Sequence, residues 1–138
     1  MKNLNTIGIA LLDAFGTVQT TAQTKKIDAS KSKISWVGKK VTGQHEGTIN
    51  LRDGALVFKG KKLVGGNFAV NMASLTNTDL KAGEGKEKLE CHLKSEDFVG
   101  TEKFPTSALV FKTIAAKSKN VYTVTADLKI KEKTNPIT

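Results

Sequence analysis

The residues best equipped for chemistry lie close together in this chain. Glu90-Cys91-His92 leads into Leu-Lys-Ser-Glu96-Asp97-Phe-Val-Gly-Thr-Glu102-Lys-Phe-Pro105, so a thiol, an imidazole and several carboxylates share one short segment. A divalent metal site or a thiol nucleophile is the chemistry such a set suggests. On a helix His92 and Glu96 fall on one side, four positions apart, with Glu90 and Cys91 close by. Zinc, however, takes three or four ligands from segments of recognisable spacing, and the only other histidine, His45, lies in a distant glycine-rich stretch. A cysteine nucleophile needs a base oriented by a third group. Neighbouring side chains on a helix diverge by about 100°, so adjacency alone does not make Cys91 and His92 a dyad. No G-x-S-x-G, H-E-x-x-H or dinucleotide fingerprint occurs. Nothing in the segment therefore demands a catalytic group or a metal, and the expectation is a protein that is not an enzyme.

The elements that position this segment belong to one domain, because 138 residues bury one core and not two. Hydrophobic residues at 38% and charged residues at 25% fit a soluble globular chain. Cys91 is the only cysteine, so no intrachain disulfide forms and packing supplies the stability. The formal net charge is +9, and lysine pairs (Lys25-Lys26, Lys39-Lys40, Lys61-Lys62) are spread along the chain. A diffuse positive field attracts anionic lipid headgroups or nucleic acid. Strand-based readers of single strands interleave exposed aromatics with basic residues. Here Trp36, Phe58, Phe68 and Phe111 share faces with aliphatic neighbours, which points to a lining or a core. Nucleic acid is thus not the partner expected, and the positive field points instead to transient contact at a membrane surface. The alternative is a basic β-barrel with a filled, ligand-free core that binds single-stranded nucleic acid or another anionic partner.

At the N-terminus Lys2 precedes the apolar run Thr6-Ile-Gly-Ile-Ala-Leu-Leu12, and small residues follow at Thr20-Thr-Ala22. Positive, apolar, then small is the order of a secretory signal peptide. Residues 1–22 are read as that signal and 23–138 as the mature domain, which places the protein in the periplasm or outside the cell. Asp13 disturbs the pattern, since a carboxylate within an inserting helix costs roughly 2.5–3.5 kcal/mol.

Beyond Lys26 the hydrophobic period becomes two. Ile34 and Trp36 alternate with Ser35 and Val37, Ile49 and Leu51 with Thr48 and Asn50, and Leu56 and Phe58 continue the pattern. Asp53-Gly54 is the pair expected in a tight hairpin turn. A long strand is expected over 64–74, with Phe68, Val70 and Met72 on one face. Strands resume at 107–113 and 121–131, where Tyr122, Val124, Ala126, Leu128 and Ile130 share a face. One short helix is expected within 81–95, where Leu89 and Leu93 fall four apart. Gly38-Lys-Lys-Val-Thr-Gly43 and Gly60-Lys-Lys-Leu-Val-Gly65 echo each other. They lack the glycine spacing, the Lys-Ser/Thr ending and the following helix of a phosphate loop, so they read as lysine-tipped connections.

In order along the chain, Ser74-Leu75-Thr76, His92-Leu93-Lys94-Ser95 with Asp97-Phe98, Lys103-Phe104-Pro105-Thr106, Asp127-Leu128-Lys129-Ile130-Lys131 and Pro136-Ile137-Thr138 resemble the YceI-like family. The resemblance covers residues 27–138. It implies an extended antiparallel, lipocalin-like β-barrel with one short helix, exported, holding an isoprenoid or similar long-chain lipid in its lumen with no other cofactor, as a monomer or dimer. It also implies that His92 and Asp97 anchor the helix and its turn by hydrogen bonds, and that Leu93 and Phe98 plug or line one end. Leu89-Glu90 stand where the family has Arg-Asp. The family continues past the last residue here, so six strands and the start of another are expected, with the C-terminal strands incomplete. The lining expected for the lipid is Ile34, Trp36, Leu51, Phe58, Phe68, Val70, Met72, Phe111, Val124 and Leu128, with Leu93 and Phe98 at the end. Each ligand CH₂ withdrawn from water contributes about 0.8 kcal/mol, so such binding needs no reactive group.

Overall fold

A computed structural model describes residues 20–138. The expected signal segment lies almost wholly outside them; its last residue, Ala22, opens the first strand. The elements are β1 (Ala22–Lys26), β2 (Ile34–Lys40), β3 (Gly43–Lys59), β4 (Lys62–Asn77), α1 (Lys86–Lys94), β5 (Thr106–Ser118), β6 (Val121–Ile130) and β7 (Lys133–Ile137). The seven strands form one antiparallel sheet in the order β1-β3-β4-β5-β6-β7, with β2 also on β3. β1 and β2 lie end to end along the same edge of β3, opposite Ala55–Lys59 and Gly43–Ile49 respectively. A single 3-10 turn at Ala29–Lys31 separates them, capped by Asp28, whose carboxylate accepts from the Ser30 N–H at 3.1 Å.

The all-β class with one short helix holds, but the expected barrel does not close among the described residues. A barrel gives every strand two neighbours; here β7 pairs with β6 alone, and β1 and β2 pair with β3 alone. The strand count also rises from the expected six and a beginning to seven, because Ala22–Lys26 pairs as β1 despite having no apolar alternation. The helix is shorter than the charged segment suggested, since Gly83 (φ 80°) and Gly85 (φ 99°) hold the chain in left-handed turns until Lys86.

Asp53-Gly54 makes no turn and sits inside β3. Gly54 is there for space: a Cβ on it would lie 2.9 Å from the Phe68 ring across the ladder. The hairpin tips fall elsewhere, at Gly60 (φ 63°), Asn120 (φ 61°), Lys131 (φ 55°) and residues 41–42. Both Gly-Lys-Lys echoes run through hairpin tips, as lysine-tipped connections.

At 17 and 16 residues, β3 and β4 are well beyond the usual strand length of about five or six. Irregularities in their pairing break them into shorter ladders, at Thr48/Asn50, Leu51/Asp53 and Val57/Phe58. At the first of these, residues 72–75 of β4 lie between pairs Thr48↔Thr76 and Asn50↔Asn71, opposite the lone Ile49. Ser74 repairs the ladder there: its hydroxyl donates to the Asn71 carbonyl (2.6 Å) and accepts from the Asn50 N–H (2.8 Å). The excess chain buries Met72 and Leu75 together against Ile49, with Leu93 and Val99 packed onto them from α1 and its exit. That contact seats the helix on one end of the sheet.

Candidate functional site

The segment that opened the sequence reading proves to be a helix cap. Ser95 ends α1, its N–H (3.2 Å) and hydroxyl (2.7 Å) both donating to the His92 carbonyl. Val99 N–H then reaches Leu93 O (3.2 Å) and Thr101 N–H reaches Lys94 O (3.0 Å), so the exiting chain satisfies the last helical carbonyls. Lys131 clamps this loop from the β6–β7 tip, its Nζ donating to Glu96 O (2.9 Å) and Phe98 O (3.2 Å). Glu96 is instead ion-paired with Lys103 at 3.4 Å, and Cys91 is exposed. A shallow cleft of about 390 Å³ beside Cys91, Ser95 and Thr101 is lined by this same cap. Among the described residues no three His, Cys, Asp or Glu side chains cluster closely enough to hold a metal.

The anchors expected at His92 and Asp97 are not the ones used. His92 lies against the Phe98 ring (centroids 6.3 Å apart), and the polar bonds come from Ser95, Lys131 and Glu90. Glu90 accepts the Asn77 N–H at 2.8 Å. Asn77 is the one fully buried large side chain among the described residues. Its amide donates to Glu46 O (3.0 Å) and to an Asp79 carboxylate oxygen, and its Oδ1 accepts from Leu80 N–H (2.9 Å). Asp79 also accepts from the Glu46 N–H (3.0 Å) and meets His45 Nδ1 at 2.8 Å. The Glu46 N–H, then His45, hold its carboxyl down at about 2. This network, invisible as a motif, fastens the start of β3 to the β4–α1 connection.

Cross-strand partners share a face, so the registers show which of the expected lining residues come together. Leu51↔Val70, Gly54↔Phe68 and Leu56↔Gly66 join β3 to β4; Phe68↔Leu109 and Leu109↔Leu128 carry the same face across β5 to β6; Phe111↔Ala126 and Ile114↔Val124 extend it. Ile34↔Ile49 and Trp36↔Gly47 bring in β2. The face has two parts. At the helix end Ile34, Trp36, Val70, Met72 and Leu93 pack with Ile49, Leu75 and Val99 as core. Towards the opposite end Leu51, Phe58, Phe68, Phe111, Val124 and Leu128 are only half-buried, with Phe68 and Phe111 in tilted contact at 5.8 Å.

Phe98 does not join them. It is 52% exposed, because Gly100 (φ 56°) turns the chain and Val99 enters the core in its place. Sequence reading also missed Leu109, which extends the face, and Leu63, buried near its far end. The role of Gly66 was not read either: the absence of a side chain there makes room for Phe111, whose ring would lie 2.7 Å from a Cβ at that position. Alternation over 106–111 marks Leu109; nothing local marks Gly66.

The β4–β5 ladder is short. It runs from Asn71↔Thr106 to Asn67↔Val110 and stops, whereas β3–β4 pairing continues to Lys59↔Lys62 and β5–β6 pairing to Ser118↔Val121. The sheet therefore divides into two ribbons beyond Gly66 and Phe111. Leu63 and Tyr122 flank the division, the Leu63 N–H directed at the Tyr122 hydroxyl at 3.5 Å. At the β6–β7 edge a second shallow cleft of about 390 Å³ is floored by Leu128, Ile130 and Ile137.

Residues 26–138 match the profile of the YceI-like domain. A UPF0312 protein of Shewanella denitrificans is 33% identical over 92 residues, which cover 67% of this chain and 46% of that protein. The match thus spans about half the length of that curated relative.

Proposed function

Because this chain belongs to the YceI-like family, we propose that it is a binding protein, not an enzyme, which carries or sequesters a long-chain apolar molecule of isoprenoid type. The supporting observation is the under-filled apolar face. Among the described residues the buried hydrophobics are Ile49, Leu63, Met72, Leu75 and Ala126, so Leu51, Phe58, Phe68, Phe111, Val124 and Leu128 leave part of their area to water. A slim hydrocarbon laid along them removes that area at about 25 cal/mol per Å². The face is elongated, since β3 and β4 are long, which suits a chain better than a compact ligand. Ile34, Trp36, Val70, Met72 and Leu93 form the closed end against which the chain stops.

The lipocalin-like barrel belongs to the same proposal: with neighbours on β7 and on the β1–β2 edge, this face becomes a lumen. So does export to the periplasm or beyond, where a soluble carrier shields an apolar cargo from water. Native mass spectrometry of protein purified from cells tests the reading. A reproducible co-purifying lipid mass, lost in Phe68→Ala/Phe111→Ala, is expected. A clean ligand-free mass with no uptake of added polyprenyl alcohol would overturn it.

A further inference from the structure

The acidic side chains of this molecule are sorted along its length, although its lysines are dispersed. From Asp79 to Glu102, in the helix and its flanking loops, seven acidic residues accumulate, whereas no Asp or Glu occurs from Gly54 to Thr78 or from Lys103 to Ala126. In an antiparallel sheet the β3–β4 and β5–β6 turns lie at the end away from α1, which bridges the other ends of β4 and β5. The first turn carries Lys59, Lys61 and Lys62, the second Lys117 and Lys119. None of the five has a carboxylate partner among the described ion pairs. Apolar side chains stand exposed directly beside them: Val64 at 42% and Val121 at 47%.

These two turns are also the tips of the ribbons that part beyond Gly66 and Phe111. The parted ribbons at this end of the apolar face are thus flanked by exposed valines and by ammonium groups with no carboxylate partner among the described residues. We infer that this end docks on an anionic lipid bilayer, the lysines on the headgroups and Val64 and Val121 at the acyl boundary. Basic residues near an anionic surface each strengthen binding severalfold, and apolar side chains beside them add the second signal that stable interfacial attachment needs. Nucleic acid fits less well, because bases stack on exposed aromatics and the aromatics next to the tips, Phe58 and Tyr122, are half-buried. The docking rests on the tips and not on any cargo. It stands or falls separately from the carrier reading, although it supplies the place where a membrane-dissolved cargo enters.

Flotation of the full chain with vesicles of phosphatidylcholine containing about a quarter phosphatidylglycerol tests it. The variant Lys61→Gln/Lys62→Gln/Lys117→Gln/Lys119→Gln changes exposed tips only, and its affinity should fall at least about tenfold. Lys39→Gln/Lys40→Gln/Lys86→Gln/Lys88→Gln, with the same net charge but altered at the helix end, should bind like the native chain. Val64→Ser/Val121→Ser should make the attachment more easily released by salt. Equal losses in both lysine variants, no binding of the native chain at low salt, or tip-dependent binding of a single-stranded oligonucleotide without binding of vesicles would each overturn the inference. Docking that persists with a clean ligand-free mass and no uptake of polyprenyl alcohol supports this inference while removing the carrier reading.

Discussion

Trp36 occupies the space that a side chain on Gly47 would need. A Cβ on Gly47 would lie 2.5 Å from the indole and 1.9 Å from the Thr76 carbonyl oxygen. Trp36 and Gly47 are cross-strand partners, and the indole N–H donates to Thr48 O at 3.3 Å, which fixes the ring over the glycine. The obstruction includes backbone, so side-chain rotation cannot relieve it. Gly47→Ala should therefore destabilise the domain by about 3 kcal/mol, read as a lower urea midpoint. A midpoint shifted by less than a third of that would mean that the β2–β3–β4 ladder yields more easily than its close packing implies.

The helix seat gives a contrast between neighbours. Leu93 packs on Met72 and Leu75, while Phe98, the larger side chain, is half in solvent. Leu93→Ala should cost about 2–4 kcal/mol, and Phe98→Ala about 0.5 kcal/mol or less. Thermal melts of the two variants decide it. The reverse ranking would restore Phe98 to the plugging role that the family resemblance gave it.

Those two residues also mark where sequence reading succeeds and fails. Alternation identified Phe68, Val70, Met72 and Leu128 as one face because pairing in a sheet preserves a period of two. Phe98, assigned to one end by resemblance and not by alternation, lies in an irregular cap, where orientation follows from Gly100 and from hydrogen bonds to helical carbonyls. Asp53-Gly54 misled for a related reason: the dipeptide favours a turn, but the long β3–β4 ladder overrides it, and the glycine serves the Phe68 ring. The early end of the β4–β5 ladder and the Asn77 network depend on contacts between distant segments, so no local pattern announces them.

The Asn77–Asp79 network sets an acid limit. The Asp79 carboxyl is lowered from 3.8 to about 2, chiefly by the Glu46 N–H and His45. A group depressed in the folded state contributes stability above its unfolded value, which is lost as pH falls through the folded one. Stability should therefore decline between about pH 4 and pH 2, and Asp79→Asn should flatten that part of the profile while lowering stability at pH 7. Denaturant midpoints of both proteins across this range test the assignment. Parallel profiles would place the acid sensitivity elsewhere.

Asn77 itself makes a stability prediction independent of charge. Its amide group serves Glu46 O, Asp79 and the Leu80 N–H within a fully buried site. Truncation leaves these part-buried partners short of hydrogen bonds, at up to about 1–3 kcal/mol for each group left unsatisfied. Asn77→Ala should cost about 3 kcal/mol, and amide hydrogen exchange should accelerate first at Leu80 and along the start of β3. Uniform acceleration across the sheet would show that the network supports the whole fold and not this junction.

Gly66 and Phe111 offer a way to separate cargo binding from folding. A methyl on Gly66 meets the Phe111 ring at 2.7 Å and Leu56 at 3.1 Å, and both obstacles are ends of side chains, not backbone. The ring can swing away, and the half-buried face gives it room to do so. Gly66→Ala should then lower stability by no more than about 1 kcal/mol, yet place Phe111 across the surface proposed for the hydrocarbon. Uptake of a polyprenyl alcohol, followed by quenching of Trp36 or by native mass, should drop several-fold, and Gly66→Ala/Phe111→Ala should recover part of it by clearing the ring. Undiminished uptake in Gly66→Ala, with the fold intact, would move the cargo off this part of the face.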